Sequence, residues 1–173
     1  MLKRCIMIFP ILTNMGVINE VRNKFDPLAS HVKPHVTLVF PFESQIKSDE
    51  LNRHLKSVLS TRQSFLLTLH AITSSQPGNY LFLNIDKGKK EIIDMHEQLY
   101  TGLLESFKPD WLINRNYNPH MTLGKLENEQ DLNKAIEWTK GINQVFKAVV
   151  DKVSVEIISE NEDSIIKIET DLL

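Results

Sequence analysis

The alternation of apolar and polar positions divides the chain into short elements. Residues 4–12 contain the apolar run Cys5-Ile6-Met7-Ile8-Phe9 and read as a buried strand. Val17, Val21, Phe25 and Leu28 follow at i, i+4, i+8 and i+11, one face of a helix. Asp26-Pro27 should end that helix or distort its last turn. Residues 35–42 are β-rich. Ser48-Asp49-Glu50 offers an N-cap hydroxyl and acids for a first turn, and Leu51, Leu55, Val58 and Leu59 supply the apolar stripe behind it. Phe65, Leu67, Leu69 and Ala71 alternate as in a half-buried strand.

The same order then recurs. Tyr80 to Asp86 reads as a strand, and Ile92, Leu99 and Leu103 place a helix over about 89–107. Residues 120–125 are a second β-rich run. Leu132, Ala135 and Ile136 mark a helix over about 129–140. Residues 146–158 and 164–170 read as final strands joined by a polar turn from Ser159 to Asp163. The chain therefore reads strand–helix–strand–helix–strand twice, with Ser74-Ser75-Gln76-Pro77-Gly78-Asn79 as the turn between. This predicts one domain over residues 1–173 with two similar lobes, about 1–75 and 76–173, and with room for terminal strands to be exchanged between them.

Each half carries the same pattern at its third element: Lys33-Pro34-His35-Val36-Thr37-Leu38 and Asn118-Pro119-His120-Met121-Thr122-Leu123. A single His-x-Thr carries no information, but two copies at equivalent points of a repeat do. On a strand, residues i and i+2 share a face. Each imidazole therefore sits beside its threonine hydroxyl, while Val36, Leu38 and Phe40, or Met121 and Leu123, point into the core. The leading prolines fall at strand starts, where a missing N–H costs least.

Two such strands facing one cavity suit phosphoryl chemistry. One neutral histidine takes a proton from the attacking oxygen, and the other, protonated, gives one to the leaving oxygen. The threonine hydroxyls donate to the non-bridging oxygens and hold the phosphorus between the rings. This scheme needs no metal and no cofactor. The His31-x3-His35 spacing would suit zinc only on a helix, which Pro34 disfavours, so no zinc site is expected.

The remaining candidates have ordinary structural explanations as well. His96 falls on the apolar face of its helix and reads as a core or boundary residue. His54 and His70 read as structural or surface residues. Lys33, beside the first motif, is a candidate for phosphate contact. Trp111, Arg115 and Tyr117 precede the second motif in an expected loop and could stack a base or hold a phosphate, as could Tyr80 and Phe42; a packed role fits each equally well.

Composition narrows the classes. The 173 residues are 42% hydrophobic and 24% charged, which suits an ordinary globular core. A net charge of −2 argues against gripping long duplex DNA, though a local basic patch could hold a small phosphorylated ligand. The lone Cys5 forms no internal disulfide and reads as a core thiol. Pro10 interrupts the N-terminal apolar run and no small-residue cleavage site follows, so a signal peptide is not expected. No run approaches the length of a membrane span. A cytoplasmic monomer is the expectation.

The paired motifs and the duplicated order resemble the 2H phosphoesterase superfamily, and within it the 2′-5′ RNA ligase/cyclic phosphodiesterase-like proteins. The resemblance runs over nearly the whole chain, including the Phe65–Ile72 strand and the Tyr80–Tyr100 segment. It implies an α+β fold, two-lobed and pseudo-symmetric, with mainly antiparallel sheets around a central cleft. It also implies RNA processing chemistry on cyclic phosphates or phosphodiesters of nucleotides and RNA ends, with His35, Thr37, His120 and Thr122 as the catalytic set. Where the RNA-ligase-like branch often has an arginine shortly after its second motif, this chain has Lys125, a point charge rather than a bidentate fork. Strand parity aims Lys125 away from His120 unless the strand ends at Gly124. The first motif continues Val39-Phe40-Pro41-Phe42, a form associated with more divergent bacterial members.

The expected reaction is opening of a 2′,3′-cyclic phosphate or a related phosphodiester by in-line attack of water; ligation of RNA ends is the same chemistry reversed. The alternative is a nucleotide- or RNA-end-binding module with little or no turnover, because fold and motif do not by themselves guarantee catalysis.

Overall fold

A computed structural model describes residues 1–113 and 115–173. The strands are β1 (Leu2–Ile8), β2 (Val36–Ser44), β3 (Phe65–Ser75), β4 (Tyr80–Ile85), β5 (His120–Lys125), β6 (Phe146–Val150), β7 (Lys152–Ile158) and β8 (Ser164–Asp171). The helices are α1 (Met15–Phe25), α2 (Ser48–Leu59), α3 (Lys89–Leu99), α4 (Asp110–Ile113) and α5 (Glu129–Thr139). The strands join in one antiparallel sheet of order β6-β3-β4-β5-β2-β1-β7-β8. The fold is α+β.

Most elements follow the periodicity, and the departures have local causes. β1 stops at Ile8 because Pro10 offers no N–H to continue a ladder. Helix α2 starts at Ser48 rather than being capped by it: the Lys47 N–H donates to the Glu50 carboxylate at 3.2 Å. The helix expected over 89–107 ends at Leu99. Gly102 takes a left-handed φ of 52°, and Gly102–Phe107 continues as a 3-10 helix. Helix α4 follows directly on Pro109.

The run expected as one strand over 146–158 is two. Burial falls on the alternate residues Phe146, Ala148 and Val150, then on every residue from Val153 to Glu156, with Asp151 at the break. β6 stands first in the sheet order and β7 seventh, yet one residue joins them. Three consecutive residues reach only about 7 Å, so the sheet has to curl until its distant strands meet.

The two halves of the chain interleave. β3 comes from the first half but pairs with β4 and β6, and β7 and β8 come from the second half but lie beside β1. The groups β6-β3-β4-β5 and β2-β1-β7-β8 meet at a seam between β2 and β5. The ladder there is a single pair, Val36 with Met121. Helix α5 packs on β3 and β4, and α2 and α3 pack on β8 and β2. Helix α1 reaches across to β5, where Gly124 makes room for it: a Cβ at Gly124 would sit 2.9 Å from the Phe25 carbonyl oxygen. The His54 ring bonds the Leu99 carbonyl at 3.0 Å and ties α2 to α3.

Candidate active site at the strand seam

Both His-x-Thr motifs lie at the seam. Val36, Leu38, Met121 and Leu123 are buried, and His35, Thr37, His120 and Thr122 on the opposite parity are half-buried. Because Val36 pairs antiparallel with Met121, the register places His35 across from Thr122 and Thr37 across from His120. Cross-strand neighbours on one face stand about 4.5–5.5 Å apart at Cβ. The four side chains therefore form one cluster, with the two imidazoles on a diagonal.

The two histidines are held in the same way. His35 Nδ1 lies 2.8 Å from the Lys33 carbonyl, and His120 Nδ1 lies 2.8 Å from the Asn118 carbonyl. A carbonyl only accepts, so each Nδ1 carries the hydrogen and each neutral ring keeps its lone pair on Nε2. Burial lowers the pKa of both rings; at His35 the charges of Arg22 and His120 push the same way, while the bond to Lys33 and the charge of Asp26 oppose it. A positive His120 thus disfavours a second positive charge on His35, which suits a pair working with one ring neutral and one charged.

Each lead-in is fixed from behind. Buried Arg22 bonds the Asp26 carboxylate at 2.8 Å and the Val32 carbonyl at 2.8 Å, pinning the loop that enters the first motif. Ahead of the second motif, the Tyr117 hydroxyl donates to the Thr37 carbonyl at 2.5 Å, a rivet across the single-pair seam. The Tyr117 ring stacks on His96, centroids 3.7 Å apart and 8° from parallel. His96 is buried and bonds the Leu38 carbonyl through Nδ1 at 2.6 Å.

Not every candidate joins the cluster. Phe42 does not: it shares the parity of the buried Val36 and Leu38 and is itself buried against Phe107, ring centroids 5.1 Å apart. Tyr117 is at the site, but with its hydroxyl and ring both committed to packing. Lys33 is exposed and lines a cavity of about 670 Å³ beside Phe9 and Pro34. Arg115 is exposed in the loop before Tyr117, and Trp111 packs edge-on against Phe40 at 4.8 Å. His31 bonds the Asp163 carboxylate through Nδ1 at 2.8 Å.

Lys125 is where parity did not put it. β5 holds an extra residue: Leu81 pairs with Gly124 but Phe82 with Thr122. This bulge at Leu123 turns Lys125 onto the Thr122 face, and its ammonium stands 5.5 Å from the Tyr80 ring. Tyr80 and Phe82 share that face, and Phe82 lies 3.9 Å from the His120 ring, centroid to centroid. Asn84, paired with His120, donates to the carbonyl of Ala71, whose φ of 64° marks a second bulge in β3. Phe82 carried a signal in its place two residues after Tyr80, but its partner strand could not be read from sequence. Among the described residues no group of three or more His, Cys, Asp or Glu side chains is placed to hold a metal ion, and no helix is long and apolar enough to cross a membrane.

A family model described as the 2′-5′ RNA ligase superfamily matches residues 12–162. The chain belongs to that superfamily, the 2H phosphoesterases. A Bacillus licheniformis protein that carries the provisional name phosphoesterase is 25% identical over 154 residues, 87% of each chain. A Geobacillus kaustophilus protein of the same provisional name is 27% identical over 129 residues, covering 72% of this chain and 69% of that one. Among solved structures, Escherichia coli LigT complexed with 3′-AMP superimposes with a TM-score of 0.62 at 16% identity, covering 99% of this chain and 98% of that one. The Thermus thermophilus protein TT0787 reaches 0.64 at 12% identity over 98% and 97%. At these identities the structural likeness speaks to fold.

Proposed function

We propose that this protein is a metal-independent phosphoesterase that opens 2′,3′-cyclic phosphates or related phosphodiester bonds of nucleotides or RNA ends. The observation that carries the reading is the matched pair of Nδ1-anchored imidazoles, each across the seam from a threonine hydroxyl. A phosphate between them meets an Nε2 on either side. One Nε2 takes a proton from water as the new P–O bond forms. The other gives its proton to the ribose oxygen as the old P–O bond breaks. Thr37 and Thr122 donate to the non-bridging oxygens, where negative charge gathers in the transition state. LigT, of the same fold, is solved with 3′-AMP, ATP and NADP+, which supports a nucleotide as the ligand class.

The test is incubation of purified protein with 2′,3′-cyclic nucleotides in excess EDTA, followed by chromatography. Accumulation of nucleoside monophosphate is the expected result. Tight binding without turnover would favour a binding module, and activity that needs a restored divalent ion would favour a metallohydrolase.

A further inference from the structure

Three consecutive carbonyls lead into the first motif, and each is taken by a different element. The His31 carbonyl accepts from the Ser164 N–H of β8 at 2.9 Å, the Val32 carbonyl from the Arg22 guanidinium of α1 at 2.8 Å, and the Lys33 carbonyl from His35 itself at 2.8 Å. The middle bond comes from a buried charge. Arg22 is 2% exposed, and its partner is the Asp26 carboxylate, whose other oxygen accepts from the Leu28 N–H at 3.0 Å. The guanidinium also reaches the Leu28 carbonyl at 3.4 Å. One planar fork thus joins α1 to both ends of the 28–32 turn. Buried ion pairs are weak sources of stability, because desolvation offsets most of the attraction. What this pair supplies is direction. The fork sets the Val32–Lys33 peptide and Pro34 fixes its own φ, so the Lys33 carbonyl between them has little freedom to turn away from His35 Nδ1. Among the described residues no ion pair stands behind the second motif, where the Tyr117 hydroxyl holds the seam instead.

We propose that Arg22, paired with Asp26, is a positioning residue for the reaction: it holds the His35 ring in its working orientation, an effect that does not extend to His120. The proposal rests on the reading of His35 and His120 as the acid–base pair. The charged groups that bear on His35 are Arg22 and Asp26, from α1 and its C-terminal end, and His120 across the seam. Phe9 covers the ring without a charge, centroids 6.0 Å apart. Burial is the largest cause lowering the pKa of His35 and the Lys33 bond opposes it; Arg22 then lowers it by more than Asp26 raises it. The pair therefore bears on one imidazole of two that are otherwise anchored alike, and the cycle needs one ring neutral while the other is charged.

The test is NMR titration of the histidine rings, beside steady-state kinetics on 2′,3′-cyclic AMP, in wild type and in Arg22→Met/Asp26→Asn. The double variant removes both charges and the fork, while the asparagine oxygen still caps the Leu28 N–H. The His35 midpoint should rise, because Arg22 outweighs Asp26, and the His120 midpoint should stay. The kcat should fall about 10- to 100-fold, the scale of a misplaced catalytic group, with KM little changed. Arg22→Lys keeps the charge, so its His35 midpoint should stay near wild type; its kcat should still fall, since one ammonium cannot replace the fork. If circular dichroism shows the double variant unfolded, Arg22→Lys carries the test. Titration does not depend on turnover: a wild-type protein that hydrolyses nothing sinks the phosphoesterase reading and leaves the ring midpoints to decide this one. A folded double variant with wild-type kcat and an unmoved His35, a shift of both rings alike as general loosening would give, or full kcat in Arg22→Lys would overturn the proposal.

Discussion

Acidification tests the packing behind the site. His96 is 1% exposed, donates through Nδ1 to the Leu38 carbonyl at 2.6 Å and stacks on Tyr117, the residue that rivets the seam. Burial pushes its pKa down to about 4; the bond to Leu38 opposes the shift and the charge of Lys108 reinforces it. An unfolded histidine titrates near 6.5. Between these values the unfolded chain binds the extra proton, so stability falls as pH falls from about 6.5 through 4. A gap of about 2.5 units at 1.36 kcal/mol each makes the full loss about 3 kcal/mol, most of it realised by pH 4.5. Urea unfolding followed by circular dichroism at pH 7 and pH 4.5 measures it. The variant His96→Gln keeps a donor for the Leu38 carbonyl and cannot titrate, so the difference between the two proteins isolates this ring from other titrating groups. Wild type should lose about 2–3 kcal/mol more than the variant over that interval. Equal losses would refute the account of His96.

Two further predictions concern the site itself. The kcat/KM for a cyclic nucleotide should be bell-shaped with its optimum below pH 6.5, because burial lowers both histidines in the free protein; the acid limb reports protonation of the base and the alkaline limb loss of the acid's proton, and an optimum above pH 7.5 would contradict the assignment. Tyr117→Phe removes the hydroxyl from the Thr37 carbonyl, so chemical denaturation should show a loss of about 1 kcal/mol and kcat should fall several-fold with KM little changed; an unchanged kcat would show that the seam does not depend on this bond.

The paired motifs were legible because strand parity and the repeat both speak to them: Pro-His-x-Thr-Leu at equivalent points of two halves already sets each histidine beside a threonine. The elements were legible for the same reason, through period and phase. What sequence did not show is pairing. β2 meets β5 through one residue pair, so nothing in either strand's composition announces the seam. The bulge at Leu123 reversed the parity that aimed Lys125 outward, and a bulge leaves no mark when the extra residue is an ordinary leucine. The break at Asp151 was masked by the run of β-formers on either side of it. Phe42, Tyr117 and Phe82 show the limit for aromatics. Nothing in the sequence around them tells one role from another, and only the fold separated a core ring, a rivet and a ring against His120.

Kinetics of His35→Ala, His120→Ala and the double variant on 2′,3′-cyclic AMP test the central claim most directly. General acid–base help is typically worth about 10²–10⁴-fold, so each single variant should lose kcat on that order. The double variant should lose less than the product of the two, since the rings act as a unit. Near-normal turnover in both single variants would contradict the two-histidine mechanism even with the fold correct.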